Sequence, residues 1–115
     1  MSAVEAGGPL PVGDAAPLFA ALGDETRLSL LARLAAAGPA SISRLSARAA
    51  VSRQAITKHV EVLESAGLVR TRRDGRQRLC ALQPARLADA HAYLETISRQ
   101  WDDALGRLQR FVEDL

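Results

Sequence analysis

The chain has 115 residues, 48% of them apolar but only 3% aromatic, and a net charge of +2. That length suits one domain, and its core must be built from Leu, Ala, Val and Ile, a composition that leans towards helix. No apolar run reaches the roughly 18 residues of a membrane span, the start lacks a signal-peptide pattern, and the single Cys80 excludes an internal disulfide, so a cytoplasmic protein without membrane contact is expected. The charge is unevenly distributed: residues 44–78 carry +6, and the segments on either side carry −2 each. A localised basic block of this kind is the footprint expected of a nucleic-acid binder.

Gly7, Gly8, Pro9, Pro11 and Gly13 predict a flexible arm over residues 1–13. Asp14 is a candidate cap for a short helix carrying Leu18, Phe19 and Leu22, which stops near Gly23. Asp24 or Glu25 opens a second helix with a broad apolar face of Leu28, Leu30, Leu31, Leu34 and Ala35, ended by Gly38-Pro39. Ser41 or Ser43 caps a third, short helix containing Leu45. Ser52 caps a fourth that runs to about Ala66 and stops at Gly67. Only Ala49-Ala50-Val51 separates the third from the fourth, and two short helices joined so tightly are the signature of a helix-turn-helix. Many such units place glycine where Ala50 stands, and a positive φ there would strain an alanine.

The period then changes. Leu68, Val69 and Thr71 lead to Arg72-Arg73-Asp74-Gly75-Arg76, and a second β-capable run, Leu79 to Leu82, follows. Asp74-Gly75 between them predicts a hairpin. Pro84 closes it and starts the last helix. From there to Leu115, Leu87, His91, Leu94, Trp101, Leu105, Leu108 and Val112 recur at steps of three and four, and Ser98 fills the one polar slot. A second row of Ala90, Ile97, Ala104 and Phe111 widens the seam. Unbroken, this helix would reach about 45 Å, more than the small domain before it can cover. A second copy of the chain is its simplest partner, so these seven residues are expected at a homodimer interface. The reading by segment is an arm (1–13), a DNA-binding domain (14–83) and a dimerisation helix (84–115).

This order of elements, together with three local patterns, resembles the winged helix-turn-helix repressors of the ArsR family. Ala21-Leu22-Gly23-Asp24-Glu25-Thr26-Arg27-Leu28 is similar to that family's opening signature. Ser52 to Val60 is similar to its recognition helix, and Ala66-Gly67-Leu68-Val69 followed by Arg73-Asp74-Gly75-Arg76 to its helix exit and wing. The resemblance covers residues 15–115. It implies a mainly α fold with a small β-hairpin, and a dimeric repressor of double-stranded DNA on an inverted repeat.

On the fourth helix, Ile56, Val60 and Leu63 share the face expected to anchor it. Arg53, Gln54, Thr57 and Lys58 then face outward near its start, the end that meets base edges in a major groove. Arg53 suits guanine and Gln54 adenine, while Ser52, Thr57 and Lys58 suit phosphates. His59 lies between the two faces; it counts among the DNA-facing candidates, although a structural hydrogen bond is the stronger expectation. In the wing, Arg72, Arg73, Arg76 and Arg78 are candidates for phosphate and minor-groove contact, because a guanidinium forks onto acceptors.

No cofactor is expected. The third helix, Ser43-Arg44-Leu45-Ser46-Ala47-Arg48, lacks the cysteines of the family's metal sensors. Asp89, His91 and Asp102 match part of a second metal-sensing pattern. Three ligands without a fourth are a poor zinc site, so a metal-responsive repressor is only the alternative reading. His91 also falls on the apolar seam, where packing is the ordinary fate of a histidine. Cys80 shares a strand face with Leu82 and is expected to be buried and inert. An organic effector near Tyr93, Ile97 and Trp101 is one remaining candidate trigger and no effector at all is the other, since Tyr93 and Trp101 more often form interface core than a ligand box. Two histidines, one cysteine and no phosphate-cradling glycine loop argue against an enzyme. A winged helix used only for protein contact would not need the basic block. An RNA reader would carry exposed aromatics, and residues 44–78 have none.

Overall fold

The computed structural model describes residues 10–115, so most of the expected arm lies outside the described residues. Helices α1 (Val12–Leu22), α2 (Glu25–Ala37), α3 (Ile42–Ala47) and α4 (Arg53–Ser65) precede a hairpin of β2 (Val69–Asp74) and β3 (Gln77–Leu82), and α5 (Pro84–Glu113) ends the chain. A two-residue strand, β1 (Ala40–Ser41), pairs antiparallel with β3 and makes the sheet order β1-β3-β2. No helix among the described residues is long and apolar enough to cross a membrane.

Helix starts follow side-chain chemistry. Asp24, Ser41 and Ser52 each accept a hydrogen bond from the backbone N–H three residues on, satisfying one of the donors a helix start leaves open. The first helix departs from expectation. It begins at Val12 rather than after Asp14, because the Pro11 carbonyl accepts from the amides of Asp14 (3.0 Å) and Ala15 (2.9 Å). Asp14 makes no cap bond but adds negative charge to the first turn, where the helix dipole favours it. Leu10 is buried, so the core reaches back into the segment expected to be a free arm. On α2 the apolar face is narrower than the composition suggested. Leu30, Leu31 and Leu34 are buried, whereas Leu28 and Ala35 face solvent.

The turn between α3 and α4 holds no strained alanine, since no residue other than glycine has positive φ among those described. Arg33 fastens this unit to α2, its guanidinium donating to the carbonyls of Leu45 (2.9 Å) and Arg44 (3.2 Å). Ile56, Val60 and Leu63 of α4 are almost fully buried against Leu18, Leu30 and Leu45, as their helical spacing predicted. Gly67, at φ 77°, then reverses the chain into β2.

The hairpin turns one residue later than expected. Asp74 pairs with Gln77 as the last rung, so Gly75 and Arg76 form the two-residue loop, and Gly75 alone takes positive φ, at 64°. A glycine at the first loop position supplies the backbone twist that matches the strands. Opposite partners in a ladder share a face. Val69, Thr71, Cys80 and Leu82 therefore form one side, and Arg73 and Arg78 extend it beyond the core. Cys80 is buried as expected, and burial pushes its thiol up to about 11.

Helix α5 is one unbroken element, passing through Gly106 without interruption. Its first half docks on the domain: Ala90 is buried, Leu87 packs on the core, and the ring of Tyr93 lies 5.6 Å from that of Phe19. Beyond Ile97 the helix leaves the domain, and from Ser98 to Leu115 every residue except Gly106 is exposed.

Candidate nucleic-acid interface

The N-terminal half of α4 carries a polar outer face because its inner face is fully committed to the core. Arg53, Gln54 and Lys58 are exposed, and Thr57 is half-buried with its hydroxyl donating to the Arg53 carbonyl at 3.0 Å. Together with Glu61 they line a shallow groove on the outward side of the helix. Glu61 was not singled out from the sequence. Its position four residues after Thr57 and seven after Gln54 is the signal that would have found it. Ser52 is exposed, and its hydroxyl is used as the cap, accepting from the Ala55 amide at 3.1 Å. It can still donate outward.

His59 belongs to a different constellation. Arg27 donates through Nη1 to His59 Nδ1 at 3.2 Å, and Asp24 Oδ2 lies 3.7 Å from the same nitrogen. Arg27 also donates to the carbonyls of Ala21 (2.7 Å) and Ala20 (3.3 Å). The ring therefore sits in a polar strap that joins α4 to the end of α1 and the start of α2. The structural hydrogen bond that was the stronger expectation for His59 is thus present. The Asp24 carboxyl is held below its ordinary value, chiefly by the Arg27 amide that it accepts from, with the Arg27 charge adding to that.

The wing arginines divide into two groups. Arg72, Arg73 and Arg76 are exposed and make no side-chain hydrogen bond or ion pair among the described residues. Arg78 is spoken for: its guanidinium donates to Thr71 Oγ1 (3.0 and 3.2 Å) and to Glu64 Oε1 (3.3 Å). Sequence inspection could not separate these, because both groups are simply arginine in a basic run. Two more exposed arginines, Arg44 and Arg48, lie on and just after α3, the helix that precedes the tight turn.

The other candidates fall along α5. Leu94, Trp101, Leu105, Leu108 and Val112 are more than half exposed, and Phe111 and Leu115 join them. Leu87, by contrast, is spent on its own domain. His91 is not packed either. It stands exposed and pairs with Glu95 at 3.1 Å, one turn on. Asp89 is bound to Arg86 at 3.1 Å. Asp102 lies eleven residues past His91, about 16 Å along the helix axis, so the three residues of the alternative metal-responsive reading do not meet within one protomer. No group of three His, Cys, Asp or Glu side chains able to hold a metal forms among the described residues.

The family model for a helix-turn-helix domain matches residues 22–72. The HTH-type transcriptional regulator Rv2034 of Mycobacterium tuberculosis is 39% identical over 93 residues, spanning 81% of this chain and 83% of that protein. An ArsR-like transcriptional regulator from Rhodococcus sp. RHA1 has a solved structure that superposes with a TM-score of 0.74 at 38% identity, over 86% of this chain and 92% of the other. A homodimeric winged helix-turn-helix DNA-binding domain from Mycobacterium bovis shares the fold at 21% identity and a TM-score of 0.62, over 77% of this chain and 82% of its own. The two relatives of 38–39% identity are both transcriptional regulators, and this chain belongs to the ArsR family of winged helix-turn-helix DNA-binding transcriptional regulators.

Proposed function

We propose that the protein is a homodimeric repressor that binds an inverted-repeat operator. In each half-site, α4 enters the major groove and the wing lies against the neighbouring backbone. Arg53 and Gln54 read base edges, and Ser52, Thr57 and Lys58 bind phosphates. Arg72, Arg73 and Arg76 supply the wing contacts. The observation that carries this reading is the set of wing arginines without a side-chain partner among the described residues, beside the exposed Arg53, Gln54 and Lys58 of α4. The exposed apolar strip on α5 supports the dimer, because exposed patches of that kind mark association surfaces. Two-fold symmetry of the protein would be mirrored in half-sites about one helical turn apart. The trigger is unassigned: an organic effector held near Tyr93, Ile97 and Trp101 is one reading, and a regulator without any effector is the other.

Footprinting on the DNA upstream of the protein's own gene, with and without zinc, tests the proposal. Protection of two symmetric half-sites, unchanged by zinc, is the expected result. A lack of protection at low salt would overturn it, and zinc-dependent release would restore the metal-responsive alternative.

A further inference from the structure

We infer that Glu64 is a positioning residue for DNA binding, holding the wing at a fixed angle to the recognition helix. Glu64 lies in the last turn of α4, half-buried. Its Oε2 accepts from the Thr71 amide (3.0 Å) and from the Thr71 hydroxyl (2.8 Å), and its Oε1 accepts from Arg78 Nη2 (3.3 Å). Arg78 closes the ring by donating to Thr71 Oγ1. One carboxylate thus gathers three donors from both strands of the hairpin. Strand β2 is one of the two edge strands of the sheet, and the Thr71 amide is a donor that the β2–β3 ladder leaves free; the carboxylate covers it.

The geometry gives this ring a role that packing alone does not fill. Val69 and Leu82 hold the base of the hairpin in the core, but from Arg72 to Gln77 every residue is exposed. The clamp sits at Thr71 and Arg78, the last fixed points before that free tip. Charge-assisted hydrogen bonds are directional as well as strong, so they fix orientation where apolar packing has stopped. The clamp also joins the two elements that carry the proposed DNA contacts. A rotation of the wing about its base would carry Arg73 and Arg76 off the phosphates while leaving α4 in its groove.

This inference rests on the wing reading proposed above, and the test separates the two. In Glu64→Gln, one carboxylate oxygen becomes an amide that cannot accept, so Arg78 or Thr71 is released with little change of shape. Nitrogen-15 relaxation of the amides from Arg72 to Gln77 is expected to show a loosened tip, with α4 unchanged. Binding to a random-sequence duplex of roughly 30 base pairs, which phosphate contacts grip without sequence preference, should weaken about tenfold at moderate salt. The loss should vanish in a background that already carries Arg73→Ala and Arg76→Ala. An unchanged relaxation profile, or a loss that adds in full to that of the arginine pair, overturns the inference. If the arginine pair itself has no effect on binding, the wing reading fails, and the relaxation profile still decides the role of Glu64. Arg78→Gln releases the same clamp from the other side, should the first variant fail to fold.

Discussion

Replacing Arg73 and Arg76 with alanine removes charge from the wing without removing any contact that folds it. Both side chains are exposed, and neither has a hydrogen-bond or ion-pair partner among the described residues. The stability of the free protein should therefore move by less than about 0.5 kcal/mol. The effect on DNA is different in kind. Each arginine on a phosphate releases condensed counterion and contributes about 0.9 to the slope of log affinity against log salt. Two arginines from each of two protomers make a slope change of about 3.6. Between 50 and 200 mM salt that amounts to about two decades, so the wild-type protein should lose some hundredfold more affinity than the variant over that range. Fluorescence anisotropy of a labelled duplex, titrated at four or five salt concentrations, measures the slope directly. Mismatched and matched duplexes should be affected alike, because phosphates carry no sequence. A slope change near half that value would mean that only one wing engages. An unchanged slope would refute the assignment of these arginines to the backbone.

Three further outcomes follow from the fold. Cys80, with its thiol pushed up to about 11 by burial, should resist thiol reagents at neutral pH until the protein unfolds. Its folded value lies above the unfolded one, so its contribution to stability is complete below pH 9 and fades as pH rises towards 11; denaturant melts of wild type and Cys80→Ala should diverge in that window. Gly67→Ala should destabilise more than Gly75→Ala in the same melts. Both sites have positive φ, which costs an alanine about 1–2 kcal/mol, but only at Gly67 does the new methyl meet a neighbour, Arg86 Cγ at 2.8 Å. Finally, Leu105→Glu together with Leu108→Glu should yield monomers in sedimentation equilibrium with the domain still folded; a persistent dimer would place the interface elsewhere.

Much of this architecture was legible in the residues because its signals are local. Asp24, Ser41, Ser52, Gly38 and Gly67 mark helix ends through side-chain caps and positive φ, which a few consecutive residues determine. The inner face of α4 followed from spacing alone. What escaped was decided by partners distant in the chain. The strand at Ala40–Ser41 has no pattern of its own and exists because β3 offers it an edge. The structural partner expected for His59 could not be named before Arg27 and Asp24 came into contact with it, and nothing in the sequence set Arg78 apart from the other wing arginines until Glu64 and Thr71 did. The hairpin turn slipped by one position because Asp74 and Gly75 both tolerate positive φ, and the register of the whole ladder determined which of them took it.

The terminal stretch of α5 has a consequence for concentration. From Ser98 onward the helix receives no packing from its own domain, whereas most helical stability in proteins comes from the packing of an amphipathic face. If the proposed dimer covers the apolar strip, assembly and the ordering of this segment become coupled equilibria. In the proposed dimer, diluted protein should lose helix content along with its partner, and a cell that makes little of it would hold a protein whose last 18 residues are unfinished. The abundance of the chain would thus help to set the fraction able to grip DNA, before any effector is considered.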